Sequence, residues 1–363
     1  MLDDILQLLA RLVAHDTRNP PRQIAADGIF ATLIEALPGF THAVTDYGAG
    51  AITLLSVRGA PQRVYNFHLD TVPAAAGWAT DPHTLVVKDG RAYGLGACDI
   101  KGAAAAMAAV ARHTPGDLAL LFSSDEEAND PRCIRGFLAT RHGFTEAVVA
   151  EPTQGLARLM HRGIVSARAR FAGIAGHASD RRALTDSAVH RAVGWASAAL
   201  TFARARQGDR FEELEGLPFN LGRIDGGIKG NVIADDCEVR FGFRPLPSQS
   251  VDALLATFRN MAPPSELAAF EELFRGSPLP AGQGEAAAAQ LAQGHALAAQ
   301  LGLPVGPAVN FWTEAALFSE AGLPALVFGP GDIAQAHTAD EWVALAQLEC
   351  VARHYQRILA SGC

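Results

Sequence analysis

This 363-residue chain is poor in cysteine and in positive charge, and no long hydrophobic run interrupts it. Five cysteines (Cys98, Cys133, Cys237, Cys350, Cys363) are scattered, odd in number and never spaced C-x-x-C. That pattern excludes a disulfide framework and a thiolate zinc site, and it fits a reducing cytoplasm. The net charge of −8 speaks against a nucleic-acid surface and against an anionic membrane. No apolar stretch approaches the ~20 residues that span a bilayer. The first residues, Met1-Leu2-Asp3-Asp4-Ile5, are acidic and lack the pattern of a secretion signal. No internal repeat of fixed period is present.

A hydrophobic fraction of 49% against 19% charged residues is the balance of a folded chain. The length predicts two domains. Helices are expected over Leu2–Ala14, Ile24–Leu37, Lys101 to the residue before Pro115, and Glu285–Leu301. Ala51–Val57 and Val64–Leu69 read as strands, and Leu85–Val87 leads into a hairpin turn at Lys88-Asp89-Gly90.

One stretch organises the reading. Val64-Tyr65-Asn66-Phe67-His68-Leu69-Asp70 is a short apolar strand with a polar end, followed by Pro73. Side chains alternate along a strand, so His68 and Asp70 share a face, the arrangement of a metal-ligating imidazole held by a carboxylate. Two later runs end the same way: Leu118–Phe122 in Asp125-Glu126-Glu127, and Ala147–Ala150 in Glu151-Pro152-Thr153. A third, Ala325–Phe328, runs through Gly329-Pro330-Gly331 toward His337. In an open α/β sheet, ligands bind beyond the carboxyl ends of the strands, so these ends define one site. Six imidazole and carboxylate groups (His68, Asp99, Glu126, Glu127, Glu151, His337) crowded at one edge repel unless cations compensate them. Nitrogen and oxygen donors without thiolates suit Zn²⁺ or Co²⁺.

Between Ile164 and Phe274 the texture changes. Val165, Ala167, Ala169 and Phe171 alternate with Ser166, Arg168 and Arg170, and the order is strand, helix, two strands, helix, strand. This predicts a compact α+β insert over 164–274, ferredoxin-like, inside a discontinuous catalytic domain of residues 1–163 and 275–363.

These residues resemble the dinuclear metal-dependent amidohydrolases and peptidases, most of all the acetylornithine deacetylase-like branch. The motifs are His68-Leu69-Asp70-Thr71-Val72-Pro73, Tyr93 to Gly102 with Asp99, Asp125-Glu126-Glu127, Glu151-Pro152-Thr153 and Gly329-Pro330-Gly331 with Ala336 to Glu341. They follow the family's order along almost the whole chain. The resemblance implies a mixed-sheet α/β zinc-peptidase-like domain, an inserted lid that dimerises, and two divalent metals per subunit, zinc or cobalt. Asp99 would bridge the metals, with His68 and Glu151 on one and Glu127 and His337 on the other. Glu126 would be the general base and Asp70 the partner of His68. The peptide after Asp99 would be cis. His177, in Gly176-His177-Ala178-Ser179, would stabilise the oxyanion across a homodimer. Lys229, Asn231, Arg244, Thr313 and Gly329 would contact a small N-acyl amino acid, Arg244 through its α-carboxylate.

Departures are specific. Leu95 and Ile100 replace arginine and methionine, and Thr313-Glu314-Ala315-Ala316 replaces Thr-Asp-Ala-Arg. Loss of the arginine at Ala316 is expected to change the charge preference for the substrate side chain. Thr338-x-x-Glu341 reads equally well as a helix-capping box, and Cys98 as a packed, unreactive thiol. Two rivals remain. A nucleotide-binding protein is disfavoured because Gly94-x-Gly96 lacks the third glycine, the position being Asp99. A non-catalytic metal-binding homologue is disfavoured by Glu126, since binding needs no base.

Overall fold

A computed structural model describes residues 1–362, so Cys363 lies outside the described residues. The chain divides into two compact units. The first comprises Met1–Met160, Ala289–Pro307 and Thr313–Cys363, and the second His161–Ala288 with Ala308–Trp312. The second therefore runs wider than residues 164–274 at both ends.

The first unit is built on a six-stranded sheet in the order Thr41–Asp46, Ile52–Arg58, Leu118–Ser123, Arg63–His68, Glu146–Val149, Ala325–Val327. The last four strands run parallel. The first two are antiparallel additions, which makes the sheet mixed. The two inner strands Arg63–His68 and Leu118–Ser123 are buried at every position, as parallel strands covered on both faces are; Leu118–Phe122 is apolar throughout, whereas the other strand also buries Arg63, Asn66 and His68. Helix Gly102–His113 is buried from Gly102 to Ala111. Its alanines present no bulk, so Leu2–Val13 and Leu345–Ser361 pack directly against it, with Leu9, Leu12, Val351 and Tyr355 in the shared core.

The second unit carries a four-stranded antiparallel sheet in the order Phe219–Gly226, Asp236–Phe243, Ile164–Ala172, Leu267–Gly276. Val165, Ala167, Ala169 and Phe171 are buried while Ser166, Arg168 and Arg170 are not, so the alternation in the sequence is the two faces of one strand. Helices Ala188–Ala205 and Val251–Arg259 contribute Trp195 and Phe258 to the core, and the Trp195 indole donates to the Phe258 carbonyl at 2.7 Å.

Three elements differ from the sequence reading. The helix expected from Ile24 starts only at Ile29, because residues 21–28 form turns in which Arg22 donates to the carbonyls of Gly50 and Ser124. Thr41–Asp46 is a strand despite its polar sequence, being an exposed edge. Glu341 caps no helix: Trp342–Ala344 is a strand paired with Arg91–Tyr93. Cys98, Cys133, Cys237 and Cys350 are unpaired.

Candidate metal centre

Each parallel strand delivers one component at its carboxyl end. His68 closes its strand, Glu126 and Glu127 follow Ser123, and Glu151 follows Val149 by two residues. Asp99 comes from the bend before helix Gly102–His113. There Gly96 adopts φ +79°, where a Cβ would lie 2.9 Å from the Thr71 side chain, and the Asp99–Ile100 peptide is cis. His337 projects from the loop after Gly331 with φ +60°.

These side chains meet. His68 Nε2 lies 3.0 Å from Asp99 Oδ1, and His337 Nε2 lies 3.0 Å from Glu127 Oε1 and 3.5 Å from Asp99 Oδ2. Donor atoms of His68, Asp99 and Glu151 lie within 4.8 Å of one another, and so do those of Asp99, Glu127 and His337. Asp99 belongs to both groups. A third set, His68, Glu126 and Glu127, brings Glu126 within the same reach. His68 is almost fully buried and the His337 side chain is 51% exposed, so the two ends of the cluster differ in access to solvent.

The electrostatics is that of a cation pocket. Burial, and then the neighbouring carboxylates, raise the pKa values of Glu126 and Glu151 well above the usual range. Burial alone would lower that of His68, but Asp70 and Asp99 beside it raise it well above its ordinary value. Contact with Glu127 pushes His337 up to about 9. A site that holds protons so tightly favours positive charge. Its imidazole and carboxylate donors, with no thiolate among them, suit a borderline divalent cation. The residues present fit such an ion in each of the two groups sharing Asp99.

The supporting contacts depart from expectation in places. His68 Nδ1 lies 3.1 Å from the main-chain carbonyl of Asp70, and the Asp70 carboxylate stands 3.7 Å away. That carboxylate instead accepts from the Glu127 amide at 3.0 Å and from Asn19 at 3.4 Å. Asp70 thus orients His68 through its backbone and Glu127 through its side chain. Thr313 is fully buried and its hydroxyl accepts from the Ala315 amide at the start of helix Ala315–Glu320, which is a structural task. Ala316 is also fully buried, in the same short helix. Gly329 packs where a Cβ would lie 2.5 Å from the Glu151 carbonyl, and its amide donates to Thr153 Oγ1 at 2.9 Å. It shapes the Glu151 turn. The Cys98 thiol is buried and its pKa is raised by burial and by Asp99, as its reading as inert predicts.

Two buried acids have partners that the sequence did not disclose. Glu314 accepts from Asn66 Nδ2 at 2.5 Å and Ser123 Oγ at 2.9 Å, behind the strand ends, and burial raises its pKa to about 7. Glu341, whose spacing to Thr338 suggested a helix cap, accepts instead from the amides of Gly96, Cys98 and Asp99. Each of these contacts joins segments more than 190 residues apart.

The remaining candidates belong to the second unit. His177 and Asn231 sit together: Gly176–His177 pairs with Val232–Ile233, and the Ala178 amide donates to the Asn231 carbonyl. His177, Lys229 and Asn231 are exposed, and His177 Nδ1 lies 2.8 Å from Ser179 Oγ. Arg244 is half-buried in a cleft of about 590 Å³ with Ser166, Asn220 and Phe243 in its lining, and burial lowers its pKa.

Fold and site together define a hydrolase of the metal-dependent amidohydrolase class. Residues 64–361 match the model of peptidase family M20/M25/M40, and the chain belongs to that family. It is 54% identical over 360 residues to N-acetyl-L-citrulline deacetylase of Xanthomonas campestris pv. campestris, covering 99% of this chain and 98% of that one. It is 32% identical to acetylornithine deacetylase of Myxococcus xanthus, covering 94% and 92%. Among solved structures it is similar to aminopeptidase PepT of Bacillus cereus (TM-score 0.76, 17% identity, 100% and 99% covered). A Bacillus subtilis protein described as a dinuclear metal binding peptidase of family M20 gives a TM-score of 0.67 at 14% identity, with 99% and 98% covered.

Proposed function

We propose that this chain hydrolyses the amide bond of an N-acetyl amino acid, N-acetyl-L-citrulline, to release acetate and citrulline in arginine biosynthesis. The observation that carries the chemistry is the pair of donor groups sharing Asp99. The substrate is supported by the 54% identity to N-acetyl-L-citrulline deacetylase over nearly the whole length of both chains.

In this reading His68, Asp99 and Glu151 would hold one divalent cation, and Asp99, Glu127 and His337 the other. Such ions, zinc or cobalt, would supply Lewis acidity toward the acyl carbonyl and acidify the attacking water. Glu126 takes the proton from that water and returns it to the leaving amine nitrogen. The high proton affinity that burial gives Glu126 suits the second step as much as the first. Asp70 keeps His68 and Glu127 in position. His177 donates to the tetrahedral oxyanion, and Arg244, with Lys229 and Asn231, binds the α-carboxylate end of the substrate. The half-buried, poorly hydrated Arg244 guanidinium supports that role, because a carboxylate restores the solvation that burial removes.

The enzyme works as a homodimer through its second unit. The edge strand Phe219–Gly226, with Ile224 45% exposed, and helix Ala188–Ala205, with Val193 54% exposed, support this. The four cysteines among the described residues are unpaired, which is consistent with the cytoplasm. A panel of N-acetylcitrulline, N-acetylornithine and N-succinyl-diaminopimelate with the cobalt-loaded enzyme tests the assignment. Chelator-sensitive acetate release, fastest from N-acetylcitrulline, is expected. Preference for N-acetylornithine would replace the substrate, and chelator-resistant turnover would remove the metal mechanism.

A further inference from the structure

Glu341 is a buried carboxylate that the hydrolytic scheme does not use. It is 2% exposed, and among the described residues its hydrogen-bond donors are backbone amides. Its Oε1 accepts from the amides of Cys98 at 2.9 Å and Asp99 at 3.0 Å, and its Oε2 from Gly96 at 2.9 Å. These amides lie in the bend where Asp99 and the following cis peptide precede helix Gly102–His113, and a bend of that kind leaves backbone donors without helical partners. The Glu341 main chain joins the same two segments, because its carbonyl accepts from the Gly94 amide at 3.0 Å. One residue therefore makes four bonds between the 94–99 bend and the 337–341 loop.

Each joined segment presents a donor to the cluster. Asp99 is common to both groups of candidate ligands, and His337, four residues before Glu341, belongs to the second. His337 Nε2 and Asp99 Oδ2 stand 3.5 Å apart. Their separation is set by how their two backbones are held. We propose that Glu341 is a positioning residue that fixes Asp99 relative to His337 and thereby sets the affinity of the Asp99–Glu127–His337 group for its cation.

Charge-assisted bonds to three backbone amides are stronger and more directional than neutral ones. A glutamine in this place offers one acceptor to three donors and turns an NH₂ toward a backbone amide. Outer contacts of this kind typically govern metal affinity by about 10–100-fold. The assignment rests on reading the cluster as a two-metal centre, and its test separates the two ideas.

The experiment titrates Co²⁺ alone into the metal-free full-length enzyme, followed by visible absorption and calorimetry, for wild type and Glu341→Gln. Wild type is expected to take up two equivalents per chain. The variant is expected to retain one near wild-type affinity and to bind the other roughly 10–100-fold more weakly. A residue that served only the fold would lower the unfolding temperature and leave both equivalents unchanged, and that result would overturn the assignment. A wild type that binds fewer than two equivalents would instead overturn the two-metal reading. Hydrogen exchange on the metal-free wild type decides the matter if the variant does not fold. Protected amides at Gly96, Cys98 and Asp99 are expected, and fast exchange at all three would sink the proposal.

Discussion

At the strand ends of the first unit, His68, Asp99 and Glu151 are buried and lie within hydrogen-bond or ligand reach of one another. In the second unit, His177, Lys229 and Asn231 are exposed, and the ribbon carrying His177 pairs over only two residues. The first arrangement is costly without a cation, because buried carboxylates crowd together. It persists because a parallel sheet and the Glu341 carboxylate hold the backbones in place. The second costs little and specifies little until a ligand or partner surface completes it. A centre that must present fixed donors is built into the core, whereas the groups proposed to meet a substrate are left exposed.

Substitutions in the two regions should divide along that line. Glu126→Gln is expected to have the largest effect, lowering kcat by roughly 10²–10⁴-fold while metal content by mass spectrometry stays unchanged. Near-normal turnover would remove Glu126 as the proton carrier. His177→Ala is expected to lower kcat by about 10²–10³-fold, the loss of one oxyanion donor, with metal content again unaffected. A change confined to KM would make His177 a binding residue, and the second unit would then serve capture alone.

Much of the first region was legible because its signal is local. An apolar run ending in an acid or histidine marks a buried strand and brings its polar end to the donor cluster, as Arg63–His68 and Leu118–Ser123 illustrate. The alternation in Ile164–Ala172 disclosed the second sheet in the same way. Thr41–Asp46 gave no such signal, since an exposed edge strand needs no apolar face. The helix Leu345–Ser361 has Leu348, Val351, Ala352, Tyr355 and Ile358 buried at helical spacing, a signal of the same local kind. Glu341 was misleading for a physical reason. Thr338-x-x-Glu341 has the spacing of a cap, but the chain continues as a strand and the carboxylate turns to amides some 240 residues earlier. Glu314 is hidden likewise, because its partners Asn66 and Ser123 come from distant strands.

A buried ionisable group in the second unit extends the comparison to stability. Burial, with the Arg244 charge nearby, lowers the pKa of His161 from 6.5 to about 4. In the unfolded chain it takes up a proton near its ordinary value, so between those limits the unfolded state binds more protons. Stability is therefore lost as the pH falls from about 6.5 toward 4, by on the order of 2–3 kcal/mol from this group. Urea unfolding of wild type and His161→Gln at pH 7.5 and 4.5 isolates the contribution, since other groups titrate equally in both. The wild type should lose more on acidification; equal losses would mean that His161 is protonated or solvated in the fold.

The smallest expected effect lies at a helix cap of the second unit. Ser250 accepts from the Ala253 amide at 3.2 Å and caps helix Val251–Arg259. Ser250→Ala should cost about 0.5–1 kcal/mol, measured by urea unfolding, with kcat, KM and metal content unchanged. This helix holds Phe258 in the core of the second unit, against Phe219, Phe241 and Phe243. If weakening its cap also altered KM, fraying at Val251 would be reaching the cleft through Phe243, which lines it beside Arg244. The second unit would then be as tightly coupled to its functional groups as the strand ends are to theirs, and the contrast between a fixed centre and an adaptable surround would fail.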